Sequence, residues 1–507
     1  MKKITLLLII LFSNVSNATI RYVTSTGGLV TQDGTSWATA FPGNLLQSTI
    51  NASGVGDEVW VAQGTYLTTA TTNRTISFNM KNGVAIYGSF AGSETLLSQR
   101  IISNGLLSIL SAEIGIAGIN DNSYHTISNF GLDNSAIIDG FIISGANDNR
   151  IATTTDGLGG GIYNNGSGAG NFCNPTIRNC VLINNQAVFG GGIFNNGYNG
   201  GVSTPIISNC VIAYNNATSG GGAIDNFGVL GNASPTITNC VIYENTASQR
   251  AGGMYCWGGN NGNANPIVLN TVFANNRAFD GGALISDRTN TTSGSSGNSN
   301  PSFKNCVFWG NTTTGGLGPQ FYILGSATVN TTYTAIDLTS QNAPHVLTGA
   351  TTGNTNSNPS FANIALGFGN DGKWLTTDDG LQLNSISSPC YNTGSNSGVS
   401  STDILNLNRI LGAVVDMGAY EFDVTLSNRA FINDDSFVVY PNPTKDKIHF
   451  SGLKQVFEKV LIINYLGNQI KENGFTNELD VSDLQNGIYF LVLKSGNNIM
   501  TQKFIKQ

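Results

Sequence analysis

Apolar residues between positions 151 and 345 come in short β-branched runs, separated by glycine, asparagine or proline. The runs recur almost every thirty residues: Cys180, Cys210 and Cys240 lie 30 residues apart, and each follows an asparagine. No helical periodicity interrupts them. Three short runs per unit with corners between them predict a right-handed parallel β-helix, in which each strand pairs with its equivalent one coil away.

The repeat places residues in columns along the axis of this β-helix. One column is always large and apolar and is predicted to point inward: Leu182, Ile212, Ile242, Phe273 and Phe308. A variable column is predicted to point outward: Arg178, Ser208, Thr238, Leu269 and Lys304. A third column predicts an asparagine ladder at a corner with left-handed backbone: Asn185, Asn215, Asn245, Asn276 and Asn311.

Paired glycines mark another corner, where a positive φ or a close backbone approach excludes a Cβ. The pairs are Gly191-Gly192, Gly221-Gly222, Gly252-Gly253 and Gly281-Gly282. A glycan-binding ladder or an anion-binding glycine loop is the alternative interpretation of these columns. We favour a structural role, because a residue type that is repeated in every coil serves the coil. No GK[ST] motif follows the glycines, so they are not phosphate loops.

Composition narrows the possible functions. Charged residues make up 10% of the 507 residues, the formal net charge is -7, and no basic run occurs. Nucleic acid is therefore not an expected partner. The three histidines, His125, His345 and His449, are too scattered along the chain to suggest a metal cluster.

Residues 1–18 have the composition of a secretory signal peptide, with two lysines, an apolar run from Ile4 to Phe12, and small residues before Ala18. No other apolar segment approaches the roughly 18 residues that a membrane-spanning helix needs. We therefore expect an exported protein with no membrane span in the mature chain.

Lysine marks a boundary near the C-terminus, since eight of the thirteen lysines lie in residues 437–507. Alternating apolar strands in this segment predict a small β-sandwich. The predicted fold class is thus all-β, a right-handed parallel β-helix followed by a small C-terminal β-sandwich. The predicted divisions are a signal peptide (1–18), N-terminal coils and cap (19–150), repeats (151–345), terminal coils (346–423), a linker (424–436) and the sandwich (437–507).

The repeat resembles the polymorphic-outer-membrane-protein type of β-helix, which pairs a GGA[IL] corner with an NCxFxxN strand. GGALI at Gly281 and NCVFWGN at Asn305 match that pattern. Thr271 replaces the cysteine in one coil and Met254 the aliphatic residue in another, changes that affect packing only.

Flanking motifs extend the resemblance over most of residues 20–423. DGTSWATAF at Asp33, GDEVWVAQGTY at Gly56 and VAIYGSFAGSET at Val84 resemble the N-terminal part of Bacteroidetes surface β-helix proteins. VDMGAYEF at Val415 resembles the closing motif of choice-of-anchor families.

The last segment, with VYPNPTKDKIHF at Val439 and NGIYFLVLKSGNNIMTQKFIKQ at Asn486, is similar to the type A C-terminal sorting domain of type IX secretion. The resemblance implies recognition by the type IX secretion machinery through residues 437–507. It also implies a protein that is secreted or held at the cell surface.

A β-helix enzyme that acts on acidic glycans needs carboxylates for calcium and a basic residue on one lateral face. The candidates are Asp225, Arg250, Arg277, Asp280, Asp287 and Arg288. They do not share a column, so we interpret them as solvated surface charges and predict no catalytic residue. The preferred function is non-catalytic adhesion or carbohydrate contact, and the alternative is a polysaccharide lyase or glycoside hydrolase.

The stretch NDGKWLTTDDGLQL predicts a calcium site, in which Asp371, Asp378 and Asp379 present hard oxygens beside two glycines. It lacks the glutamate that ends an EF-hand loop, and an acidic surface loop is the alternative. No other cofactor is predicted.

Tyr243, Trp257 and Trp309 are the candidate platforms for glycan contact, and Tyr243 and Trp309 share a variable column that is predicted to point outward. Aromatic side chains that only cover apolar edges of the β-helix are the alternative.

The cysteines of the repeat share the inward face and are predicted to be buried thiols, since stacked parallel Cβ vectors suit a disulfide poorly. They are Cys180, Cys210, Cys240 and Cys306. Cys173 and Cys256 fall outside this column, and the sequence leaves open whether they pair.

Overall fold

The computed structural model describes residues 18–102, 105–151, 156–290, 296–339, 341–342, 352–423, 438–451, 457–464, 469–495 and 498–507. The predicted signal peptide, apart from Ala18, and the predicted linker lie outside the described residues. The chain divides into two compact units, residues 1–422 and 423–507. Among the described residues, no helix is both long and apolar enough to cross a membrane.

The first unit is the predicted right-handed parallel β-helix, and its strands form four parallel sheets. Sheet A contains Phe41–Pro42, Ile20–Thr24, Glu58–Ala62, Ala85–Phe90, Ile137–Asp139, Thr176–Arg178, Ile206–Ser208, Thr236–Thr238, Ile267–Leu269, Ser302–Lys304 and Asn330–Thr332. Sheet B contains Gly64–Leu67, Ser108–Ser111, Phe141–Ser144, Val181–Ile183, Val211–Ala213, Val241–Tyr243, Val272–Ala274, Val307–Trp309 and Ala335–Ile336.

The other two sheets are shorter. Sheet C contains Ile127–Phe130, Ile162–Asn165, Ile193–Asn196, Ile224–Phe227, Met254–Trp257, Leu284–Asp287 and Phe321–Leu324. Sheet D contains Asn147–Asp148, Gln186–Phe189, Asn216–Gly220, Thr246–Ala247, Arg277–Ala278 and Thr312–Thr313. Each repeat coil passes through the sheets in the order A, B, D, C, and strands pair in register with the next coil.

The core runs along the inside of the β-helix. The predicted inward column is fully buried there, together with the cysteines of the repeat. Sheet D gives each coil a fourth strand where the pattern predicted three. Its buried residues include the small Ala217, Ala247 and Ala278, and apart from Gln186–Phe189 its strands lack the large apolar residues that mark a strand in the sequence.

The predicted asparagine ladder is confirmed. Each amide donates to the next Oδ1 at 3.0 Å, and the series ends where Asn311 donates to Gln320 at 2.7 Å. The predicted left-handed backbone belongs instead to the preceding residue of each coil, for example Asn184 (φ 56°) and Glu244 (φ 48°). The ladder residue itself is thereby free to turn its amide inward.

Two features seal the ends of the β-helix. The single α-helix among the described residues, Leu46–Ala52, packs Leu46 and Ile50 onto the core at the first coils. After the last coil, Asn354 donates to the carbonyl of Thr331 and Thr355 donates to Thr334 at 3.0 Å. The remaining helical elements are 3₁₀ turns at Trp37–Thr39, Gly43–Leu45, Leu97–Gln99 and Ile119–Asp121.

Residues 352–423, here called the covering segment, differ from the further coils predicted for 346–423. They contain no strand of the parallel sheets beyond an isolated bridge between Ala335 and Thr355. Instead they lie across the outer face of sheet B, where they form a second apolar cluster with its valines and alanines. Buried carboxylates organise the segment, since Asp403 accepts from the backbone N–H groups of Leu405, Leu407 and Glu421.

The second unit consists of two antiparallel sheets that share one apolar core, as the sequence predicted. One sheet contains Val438–Tyr440, Lys447–Ser451 and Glu478–Asp480. The other contains Gln469–Gly474, Lys459–Asn464, Gly487–Ser495 and Asn498–Lys506.

Candidate functional site

The structure separates the three predicted glycan-contact residues. Tyr243 and Trp309 lie in one column of sheet B, through Ala274, and both face the covering segment. Tyr243 is fully buried, and its hydroxyl donates to the carbonyl of Ile364 at 2.9 Å. Its ring therefore has no face open to a ligand in this conformation, and Trp309 is half-buried in the same cluster.

Trp257 lies on the outer face of sheet C, where it is half-buried. Its Nε1 donates to the carbonyl of Thr289 at 3.3 Å, and its ring lies 5.3 Å from that of Phe227 on the neighbouring strand. This face of the β-helix carries further aromatic residues that the sequence analysis did not assign to a site.

These side chains form what we call the aromatic row: Tyr163, Phe194, Tyr198, Phe227, Tyr255 and Trp257. Successive ring centroids lie between 5.3 and 6.4 Å apart. Tyr163, Phe194 and Tyr255 are buried, whereas Tyr198, Phe227 and Trp257 are partly exposed. The row thus has a buried inner tier and an outer tier that a ligand can reach.

The signal for the row was present in the strings GGIYNN, GGIFNN, GAIDNF and GGMYCW. Tyr163, Phe194 and Tyr255 share one outward column, which Asp225 interrupts. Phe227 and Trp257 lie in the next outward column, where the earlier coils have asparagine. The corner before the strand Ile193–Asn196 needs glycine: a Cβ on Gly190 would lie 2.8 Å from Cβ of Phe194, and Gly190 has φ 66°. The glycine corner lets the chain fold closely against the inner tier.

Asp225, Arg250 and Asp287 meet at the row, which corrects the interpretation of the two aspartates as solvated charges. Both carboxylates are buried. Tyr255 donates to Oδ2 of Asp287 at 2.8 Å, and Arg250 donates to the hydroxyl of Tyr255 at 3.1 Å. The backbone of Thr289 donates to Oδ1 of Asp287 at 2.7 Å. The groups come from adjacent columns, which a search for one shared column missed.

Asp225 differs from Asp287 because it has no hydrogen-bond partner. It lies in register between Phe194 and Tyr255, and neither of its carboxylate oxygens is bonded within the described part of the chain. Burial raises the pKa of Asp225 well above its usual range. Burial thus favours the protonated form of this carboxyl over the charged form, and the side chain is covered in this conformation.

Of the other predicted charges, Asp280 is the register neighbour of Arg250 in the next coil, whereas Arg277 and Arg288 lie apart from it. Oδ1 of Asp280 accepts from the backbone of Leu317 at 2.8 Å, and Arg277 is exposed on sheet D. Arg288 is half-buried just after the strand that carries Asp287.

His125 extends the row at its N-terminal end, with its ring 5.4 Å from that of Tyr163. Its Nδ1 lies 2.8 Å from the carbonyl oxygen of Gly159, and Nε2 lies 3.3 Å from a guanidinium nitrogen of Arg150. Arg150 in turn bonds both oxygens of Asp148 at 2.7 Å. Burial lowers the pKa of His125, so the neutral ring is a fixed structural member of this corner.

The three predicted calcium residues lie in the covering segment and have different protein partners. Asp378 is exposed and accepts from the backbone of Asn370 and Asp371, whereas Asp379 is buried and accepts from the hydroxyl of Tyr420 at 2.8 Å. No group of three or more His, Cys, Asp or Glu residues suited to a metal occurs within the described ranges. The calcium site stays a prediction, which a comparison of melting temperatures with and without chelator would test.

All seven cysteines are buried free thiols, so the structure has no disulfide between Cys173 and Cys256. Burial raises the pKa of each of these two thiols to about 12. Neither carries useful thiolate at neutral pH, which excludes them as nucleophiles in this conformation.

Comparison with solved structures finds distant β-helix enzymes. Pectate lyase Pel9A is 15% identical over 81% of this chain and 98% of its own, with a TM-score of 0.39. An iota-carrageenase complexed to iota-carrageenan fragments is 16% identical over 52% of this chain and 59% of its own, with a TM-score of 0.22. At these identities and scores the likeness says nothing about what this chain binds or cleaves. No curated protein matches the chain.

The second unit has a clearer relative. Residues 438–507 match the family described as the secretion system C-terminal sorting domain. Such a type IX sorting tail implies handling by the type IX secretion machinery and export to the cell surface or the medium.

Proposed function

We propose that this protein is an exported β-helix that binds polysaccharide without cleaving it, through the outer tier of the aromatic row. The observation that carries the proposal is the partly exposed set Tyr198, Phe227 and Trp257, supported from beneath by buried rings. Aromatic faces are large apolar surfaces with few rotatable bonds, so ordering them on a ligand costs little entropy.

The absence of cleavage is supported by the burial of the acidic groups beside the row. Asp225 and Asp287 are covered, and Asp287 is already bonded to Tyr255 and Thr289. A general acid or base must come within hydrogen-bond reach of the substrate, which neither carboxylate does in this conformation.

Incubation of the exported chain with a polysaccharide panel tests both parts of the proposal. We expect retention on at least one polysaccharide, loss of that retention in Trp257→Ala, and no new reducing ends or unsaturated products. Trp309→Ala is the matched control, because Trp309 lies on a different face. Retention that survives Trp257→Ala would place the binding surface elsewhere.

Polysaccharide cleavage is the second candidate function, and it is favoured by one observation. Asp225 is an unpartnered carboxyl beside the hydrogen-bonded Tyr255–Asp287 pair, and groups with strongly shifted pKa values cluster at catalytic sites. New reducing ends or unsaturated products that disappear in Asp225→Asn would establish this function in place of the first.

The route to the cell exterior is proposed in more detail from the sequence. The signal peptide at 1–18 would direct export of the chain to the periplasm. The type IX machinery would recognise residues 437–507 there, and the protein would then be attached to the cell surface or released. A Bacteroidetes surface origin and a polymorphic-outer-membrane-protein type of repeat are supported by the motifs at Val84, Gly281 and Asn305.

A further inference from the structure

We infer that the ligand of the aromatic row is an uncharged polysaccharide laid along the axis of the β-helix. This inference rests on the proposed function and adds the orientation and chemical class of the ligand. It is carried by the direction of the row, the pairing of the nearby charges and the polar groups of the adjacent loops.

The row follows the axis. Its strand residues come from four consecutive strands of sheet C, so it crosses three inter-strand spacings of about 4.8 Å each. In the outer tier, Phe227 and Trp257 are direct neighbours in adjacent coils, and Tyr198 packs against Phe227 at 5.5 Å. The coil spacing is close to the repeat of one sugar ring in an extended chain, so a glycan along the axis meets successive aromatic side chains.

The charges beside the row leave little to bind an anion. Arg250 bonds the hydroxyl of Tyr255 and lies 3.6 Å from Oδ2 of Asp287, so its charge is already opposed by a buried carboxylate. Asp225 is buried and neither of its carboxylate oxygens has a hydrogen-bond partner, an environment that disfavours its charged form. A uronate or sulfate placed here would have to compete with Asp287 for Arg250, whereas a neutral sugar meets no such penalty.

The loops that follow the strands offer amides. Three successive loops stack through bonds from the backbone of Gly197, Gly228 and Gly258 to the carbonyls at the ends of the next coil's strands. Asn199 and Asn261 are exposed at the turns of two of these loops, and Oδ1 of Asn261 already accepts from the backbone of Ser296 at 2.6 Å. A primary amide both donates and accepts, which matches hydroxyl groups better than it matches carboxylates or sulfates.

Affinity electrophoresis of the full exported chain tests the inference with ligands that share a backbone and differ in charge. Hydroxyethylcellulose and carboxymethylcellulose form one such pair, and xylan, galactan, polygalacturonate and alginate extend the comparison. We expect retardation by one or more neutral polysaccharides, little change between low and high salt, and a loss of about tenfold or more in affinity for Trp257→Ala. Trp309→Ala and Arg288→Gln should each retain the affinity.

The possible failures are distinguishable. Binding to acidic polysaccharides alone, weakened by salt and by Trp257→Ala, would overturn the neutral-ligand inference and leave the proposed binding function standing. Binding to nothing in an extended panel, or binding unaffected by Trp257→Ala in a variant with wild-type melting temperature, would overturn the proposed function and this inference with it.

Discussion

At the scale of single residues, Asp225 departs from the chemistry of its column. The equivalent positions of neighbouring coils carry Phe194, Tyr255 and Ile285, all buried. A buried carboxyl without a hydrogen-bond partner costs about 1–3 kcal/mol relative to an apolar group. A residue that destabilises the fold next to an exposed aromatic surface is a reason to look for function there.

Asp225→Leu is therefore expected to raise the free energy of unfolding by about 1–3 kcal/mol. Because burial raises the pKa of Asp225, wild-type stability declines as pH rises through that value, and the gain from leucine should be larger in alkaline buffer. Urea denaturation at two pH values measures both effects. Asp287→Leu is the control and should destabilise, since Tyr255 and Thr289 lose their acceptor. A less stable Asp225→Leu would mean that this carboxyl has a stabilising partner.

At the scale of elements, the sequence predicted one asparagine ladder and missed a second. Asn129, Asn164, Asn195 and Asn226 point into the core from sheet C, and each donates to the next Oδ1 at 2.9 to 3.0 Å. The ladder ends on Sγ of Cys256, 3.5 Å from the amide of Asn226. The first ladder was predictable because its asparagines recur once per coil at a corner, where asparagine is common. The second occupies strand interiors, where polar residues are normally read as outward.

The first ladder should be an essential part of the repeat. The amide of Asn245 donates to Asn276 and to two carbonyls, and its Oδ1 accepts from Asn215. Asn245→Ala leaves several buried groups without partners and is expected to cost about 2–4 kcal/mol in unfolding free energy. The nearby, half-buried Asn216 is the control, and Asn216→Ala should cost less than about 0.5 kcal/mol. Equal losses in the two variants would show that the ladder adds nothing specific.

The candidate site was only partly predictable for a related reason. Charges that act together in a β-helix are easiest to recognise when they share one column, but Asp225 and Asp287 lie in adjacent columns, on either side of Tyr255. Trp257 was predicted as a platform because its aromatic ring can stack on a sugar, and Tyr243 was expected to be exposed because its column points outward. Its burial depends on the covering segment, a long-range contact that no local pattern encodes.

At the scale of the whole molecule, the covering segment contains buried acidic residues and packs against the outer face of sheet B. Burial raises the pKa of Asp379 and of Glu421 to about 7, and that of Asp416 to about 6. Arg409 is buried in the same region, 3.8 Å from Glu421. Raised pKa values mean that these groups favour folding when protonated, so their contribution is lost as pH rises through 6 and 7.

The melting temperature of the β-helix is therefore expected to fall by at least a few degrees between pH 5 and pH 8. Asp379→Asn should reduce this dependence, because it removes one group that titrates in that window. Asp378→Asn changes the adjacent residue, whose pKa is lowered by hydrogen bonds despite partial burial, and should leave the dependence unchanged. Differential scanning calorimetry of the wild-type protein and both variants between pH 5 and pH 8 measures these melting temperatures. A flat profile for the wild-type protein would contradict the assignment.

The sorting tail makes a prediction about location. A chain truncated before Phe437 should keep the melting transition of the β-helix, because the coils of a solenoid contact mainly their neighbours. In a host with type IX secretion it should accumulate in the periplasm, while residues 437–507 fused to an inert exported reporter should carry that reporter out. Cell fractionation and surface labelling measure both. Wild-type surface levels of the truncated chain would contradict the sorting role.

The seals at the two ends of the β-helix have a consequence for concentrated protein. Parallel strands pair with the next coil by the same hydrogen bonds that let amyloid fibrils grow, so a bare last coil is a template for another molecule. The helix Leu46–Ala52 covers the core at the first coils, and the bonds of Asn354 and Thr355 engage backbone groups of the last coil. Adding coils to the repeat would therefore lengthen one molecule without creating a new exposed end. Molecules at high local density need not pair end to end and polymerise.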